Sequence, residues 1–99
     1  MKKLFPMDAD AVPVSSVMSR TLNTGSKIPG IGLGTFGSDR YDGESIAAAV
    51  RGALRVGYRL IDCAEVYGNE HLIGPVFEEA LEAGLPREEL FVVSKVWND

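Results

Sequence analysis

Tyr58-Arg59-Leu60-Ile61-Asp62 is a mostly apolar run that ends on a carboxylate, and what flanks it decides the fold. Read alone it is a short strand. Ahead of it, residues 44–56 place Ile46, Val50, Ala53 and Leu54 at helical spacing, and Gly57 stands where a helix ends. Behind it, Leu72, Ile73, Val76, Phe77, Ala80 and Leu81 repeat along one helical face, with Glu78, Glu79 and Glu82 turned to solvent. Pro75 lacks an N–H and crowds the carbonyl of His71, so regular helix is expected to begin near Leu72, or to kink there, and to close at Gly84. Gly30-Ile31-Gly32-Leu33-Gly34-Thr35 reads as a strand entering a glycine-rich loop, and Leu90-Phe91-Val92-Val93-Ser94-Lys95 as a further strand. Strand and helix thus alternate with short links, which implies an α/β fold of parallel strands with helices packed outside.

Upstream, turn residues between two apolar pieces over residues 21–28 signal a hairpin. Residues 1–19 carry Pro6, Pro13 and scattered small residues without periodicity and read as a flexible N-terminal extension, with residues 20–99 as the folded part. At 99 residues, with 45% hydrophobic and 24% charged side chains, the chain holds at most one small domain with a modest core. A net charge of −4 without a basic stripe speaks against nucleic acid as a partner. No apolar run approaches membrane-spanning length, and Pro6, Asp8 and Asp10 interrupt what would be the core of a signal peptide. Cys63 is the single cysteine; it reads as a buried filler in a reducing, cytoplasmic setting. No metal site is expected, and His71 reads as an exposed residue at a helix start.

Gly32-Leu33-Gly34-Thr35-Phe36-Gly37 meets the G-x-G-x-x-G spacing of a dinucleotide fingerprint. That motif needs a full strand before it and a helix starting inside it, so that helix amides meet the pyrophosphate. Here Pro29 interrupts the strand, and residues 38–43 separate the loop from its helix. The context favours a glycine-rich strand end over a Rossmann site.

Asp62, Tyr67 and Lys95 sit at or just past the C-terminal ends of the expected strands. In a parallel βα barrel those ends open on one face, where catalytic groups gather. A charge at the rim of a desolvated interior is costly unless paired, so an Asp62–Lys95 ion pair is the natural arrangement. Tyr67 follows Asp62 within one short loop and can fold over the same spot. An ammonium beside a phenol favours the phenolate and makes the phenol a better general acid near neutrality.

Leu22-Asn23-Thr24-Gly25, then the Gly32-Leu33-Gly34-Thr35 turn, then residues 57–70 with Asp62-Cys63-Ala64-Glu65-Val66-Tyr67-Gly68-Asn69-Glu70, together resemble the amino-terminal part of the aldo-keto reductases. Phe91-Val92-Val93-Ser94-Lys95-Val96-Trp97-Asn98 is similar to that family's third strand with its lysine. The resemblance implies a (β/α)8 TIM-type barrel, of which this chain supplies an N-terminal hairpin and the first three strands with two helices. It implies NADPH as cofactor, with NADH left open, a small-molecule carbonyl as substrate, and a monomeric full-length enzyme. By position, Tyr67 corresponds to the proton donor, Lys95 to its activator and Asp62 to the lysine's partner. Gly34, Thr35 and Asp62 fall along the nicotinamide and its ribose, and Phe36, Val66 and Trp97 line the substrate pocket.

The family's catalytic histidine follows the fourth strand, which this sequence does not contain, and His71 does not match it. An amino-terminal portion of a longer enzyme, inactive by itself, is therefore expected. Two further readings stand beside that one. The first is a nucleotide-binding regulatory subunit of the same fold without useful turnover. The second is a truncated chain whose unpaired strand edges leave it without independent function.

Overall fold

The chain alternates strand and helix as its periodicity requires, in a computed structural model that describes residues 5–37 and 40–96. Strands β1 (Ser19–Thr21) and β2 (Lys27–Pro29) pair antiparallel, with Arg20 opposite Ile28. Their turn closes where the Leu22 N–H donates to the Ser26 carbonyl at 2.7 Å, and Gly25 takes a φ of 90° there.

The second sheet holds β3 (Gly32–Gly34), β4 (Leu60–Asp62) and β5 (Phe91–Val93), parallel and in that order. Leu33, Ile61 and Val92 share one row, and Gly34, Asp62 and Val93 the next. Helix α1 (Gly43–Val56) connects β3 to β4, and α2 (Glu70–Glu82) connects β4 to β5. Because α1 begins nine residues after β3 ends at Gly34, no helix starts inside the glycine loop, and the dinucleotide fingerprint lacks its structural context.

The paired ladder is shorter than the apolar runs. The carbonyls of Arg59 and Lys95 still accept single bonds from the N–H groups of Phe91 and Glu65, at 2.8 and 3.0 Å. Regular pairing stops at Asp62 and Val93, so Ser94 and Lys95 lie in a loop rather than on the expected strand.

Helix α1 is capped by Asp42, whose carboxylate accepts from the Ser45 N–H at 2.8 Å. That side-chain hydrogen bond holds the Asp42 carboxyl below its ordinary value. Helix α2 begins at Glu70, two residues ahead of the Leu72 expected, and continues through Pro75. The N–H groups of Leu72 and Ile73 both donate to the Asn69 carbonyl, at 3.0 and 3.1 Å, which closes the first turn before proline is reached. Proline then forfeits only the bond to the His71 carbonyl, on a stretch where His71, Gly74 and Pro75 are all exposed to water.

Both helices pack on one face of the parallel sheet, and Val50, Leu54, Ile61 and Ile73 there are at most 1% exposed. Since successive strand residues point to opposite faces, burying Ile61 under the helices turns Leu60 and Asp62 to the other side. That alternation places the carboxylate.

The segment read as a flexible extension runs along the end of α1. The Asp8 N–H donates to the Arg55 carbonyl at 2.9 Å, the Val12 N–H to the Val56 carbonyl at 3.0 Å, and a 3-10 turn follows at Val14–Ser16. Gly57, at φ 121°, is required by this packing: a Cβ there would lie 2.5 Å from the Val12 carbonyl oxygen. Gly57→Ala is expected to cost about 2 kcal/mol through the positive φ and the backbone clash together. The denaturation midpoint of the full-length protein measures it, and an unchanged midpoint would contradict both the positive φ of Gly57 and the Val12 contact. Among the described residues no helix is long and apolar enough to cross a membrane.

Candidate active site

The C-terminal ends of β3, β4 and β5 carry the site. Asp62 is the last residue of β4 and faces away from the helices. Lys95 follows β5 by two residues, and its Nζ donates to Asp62 Oδ1 in an ion pair. The two loops are laced together by backbone bonds, the Cys63 N–H to the Val93 carbonyl at 2.7 Å and the Glu65 N–H to the Lys95 carbonyl at 3.0 Å.

Tyr67 ends a 3-10 turn at Glu65–Tyr67, and Gly68 at φ 70° reverses the chain into α2. The tight turn throws the phenol back over the strand ends, where Lys95 Nζ lies 5.4 Å from the ring centre. The Phe36 ring packs edge-on against it at 5.3 Å. Thr35, fully buried, sends both its N–H (3.0 Å) and its hydroxyl (2.9 Å) to the Asp62 carbonyl, which locks β3's exit to β4's end. Gly34 lies beside Asp62 in the ladder, and a Cβ on it would meet nothing within 4 Å among the described residues, so the surface above it is open.

The structure therefore brings Gly34, Thr35, Phe36, Asp62, Tyr67 and Lys95 together. Val66, on the Tyr67 turn, is 57% exposed and joins none of these contacts among the described residues. Trp97 lies outside the described residues.

Hydrogen bonding to Asp62 pushes the Lys95 ammonium above the usual lysine value; desolvation opposes it, and the Asp62 charge adds a smaller push upward. Lys95 is thus a fixed cation across the neutral range. Within this chain the Asp62 and Lys95 side chains are 49% and 47% exposed. At that exposure an ion pair adds little stability, so its consequence is orientation. Burial pushes the neighbouring Cys63 thiol up, which keeps it protonated and unreactive. Among the described residues no cluster of potential metal ligands occurs.

Two polar residues that the sequence reading passed over are built into the same end of the sheet. Asn69 is 3% exposed and donates from Nδ2 to the Thr35 carbonyl at 2.9 Å, while Glu70 accepts from the Ser94 hydroxyl. The only signal for them in the sequence is an Asn-Glu pair at a helix start, which reads equally well as ordinary capping. A groove of about 490 Å³ lies at the opposite end of the strands, lined by Val12, Val17, Ile31, Tyr58 and Phe91 among others, and holds none of the trio.

Parallel strands joined by outer helices, with a phenol, an ammonium and a carboxylate gathered at their C-terminal ends, define a class, and comparison with known proteins names it. The chain belongs to the aldo/keto reductase family, whose model matches residues 30–99. It is 57% identical over 79 residues to aldo-keto reductase family 1 member A1 of Rattus norvegicus, covering 78% of this chain and 23% of that protein. The Homo sapiens protein of the same name is 56% identical over 79 residues, with the same coverage. The chain thus spans about a quarter of the length of the curated relatives it matches.

Among solved structures, a Bombyx mori aldo-keto reductase in complex with NADP superposes with a TM-score of 0.77 at 39% identity, over 84% of this chain and 28% of that one. A Brucella melitensis aldo/keto reductase gives 0.70 at 36%, over 84% and 30%.

Proposed function

We propose that this chain forms the proton-donating sector of a (β/α)8 barrel that reduces aldehydes or ketones to alcohols with NADPH. The observation that carries the reading is the Asp62–Lys95 ion pair set against the Tyr67 ring at the C-terminal ends of parallel strands. A Bombyx mori relative binds NADP, and the residues here fit such a cofactor. The open surface above Gly34 admits a flat ring, and among the described residues Asp62 Oδ2 carries no hydrogen bond and can accept from a ribose hydroxyl.

When bound, NADPH supplies a hydride to the carbonyl carbon and leaves as NADP⁺. Tyr67 gives its hydroxyl proton to the carbonyl oxygen, which completes the alcohol. The Lys95 ammonium stabilises the phenolate left behind until solvent reprotonates it. Asp62 holds that ammonium in place through Oδ1. Phe36, packed on Tyr67 and 61% exposed, offers the substrate an aromatic wall, with Val66 and Trp97 as further pocket residues. In the same reading the full-length enzyme is a cytoplasmic monomer.

The test is NADPH oxidation by the full-length protein with an aromatic aldehyde. Turnover above the uncatalysed rate supports the reading. Tight NADPH binding without carbonyl reduction would replace it with a nucleotide-binding subunit.

A further inference from the structure

We propose that Asn69 and Glu70, the cap and first residue of α2, are positioning residues that hold the Phe36 loop and the Lys95 loop at fixed distances on either side of Tyr67. The inference rests on the catalytic reading of Tyr67 and Lys95 and adds what sets their geometry.

An asparagine at a helix start ordinarily turns its side chain onto the backbone N–H groups just ahead. Asn69 makes no such bond. Its buried amide instead reaches 34 positions back, to the carbonyl of Thr35, immediately before Phe36. Thr35 is itself bound twice to the Asp62 carbonyl, so Asn69 is the third tie on the short segment that carries Gly34, Thr35 and Phe36. Among the described residues the buried Asn69 Oδ1 atom has no partner, a cost tolerated to keep Nδ2 on that carbonyl.

Glu70 makes the matching tie on the other side, accepting from the hydroxyl of Ser94, the residue before Lys95. Lys95 needs it: its half-exposed side chain is flexible, and Asp62 fixes only the far end. Gly68 couples Tyr67 directly to this helix start. One helix end thus carries the phenol and grips the loops of the aromatic wall and of the ammonium. The Ser94–Glu70 bond is solvent-exposed, so it adds little to stability, and its consequence should be read in rate.

The experiment compares kcat, KM and melting temperature of the full-length enzyme with those of its variants. Glu70→Ala is expected to lower kcat by about ten- to a hundredfold with KM for NADPH and the melting temperature nearly unchanged. Ser94→Ala should reproduce the loss, and the double variant should add little, because both changes remove one bond. Glu70→Gln, which retains an acceptor oxygen, should recover most of the rate. Asn69→Ala should also lower kcat, though its burial makes folding a second readout there. The proposal is overturned if Glu70→Ala and Ser94→Ala keep kcat within about twofold of the parent, or if Glu70→Gln is as slow as Glu70→Ala. A Tyr67→Phe enzyme that turns over normally would remove the catalytic reading and this inference together. An inactive Tyr67→Phe beside unaffected Glu70→Ala and Ser94→Ala would remove this inference alone.

Discussion

Tyr67→Phe is expected to lower carbonyl reduction by the full-length protein about 10²- to 10⁴-fold, the usual contribution of a positioned general acid. The ring survives the change, so its edge contact with Phe36 and its place beside Lys95 survive too. Only the transferable proton is lost. NADPH binding, measured by fluorescence titration, should therefore stay within about threefold of the parent, since Gly34, Thr35 and Asp62 are untouched. The loss should appear in kcat and kcat/KM alike, because the proton moves only in the transition state. Unchanged turnover would take Tyr67 out of the mechanism. A matching loss of NADPH affinity would make it a binding residue instead.

Arg59→Leu is expected to produce the largest loss of stability, about 3 kcal/mol. The guanidinium is 4% exposed and donates to the carbonyls of Leu54 and Tyr58, both at 2.7 Å. It also reaches Met7 Sδ at 3.3 Å and lies 5.8 Å from the centre of the Phe5 ring, so it stitches the N-terminal segment to the end of α1. Its ion pair with Glu89 at 3.3 Å counts for less, because that carboxylate is 39% exposed. The cost arises chiefly from stranding two carbonyls that water does not easily reach. Chemical denaturation of the full-length protein, followed by far-UV circular dichroism, should show a lower midpoint with an unchanged slope. Glu89→Gln should cost much less. Equal costs for the two variants would mean that the ion pair, not the carbonyl bonds, is what Arg59 contributes.

Asp62 and Lys95 were legible in the sequence because each is a charge at the end of an apolar run, and parallel pairing brings such ends together. Tyr67 was legible from its short tether to Asp62. The strand–helix order followed from apolar periodicity alone, and the sheet has the parallel order it implied. Pro75 placed the start of α2 to within two residues, and the helix runs through it because its missing N–H would have gone only to the exposed His71 carbonyl. Asn69 and Glu70 escaped for a common reason. Their partners, Thr35 and Ser94, lie 34 and 24 positions away, and no local pattern announces a tertiary hydrogen bond.

A crystal structure of the full-length protein with NADP⁺ and a carbonyl-containing inhibitor tests the site most directly. The nicotinamide is expected against Gly34 and Thr35, a ribose hydroxyl on Asp62, and the Tyr67 hydroxyl in hydrogen-bond contact with the inhibitor's carbonyl oxygen while Lys95 stays paired to Asp62. A nicotinamide lodged at the opposite end of the strands, beside Ile31 and Phe91, would contradict it, as would a Tyr67 hydroxyl turned away from the carbonyl.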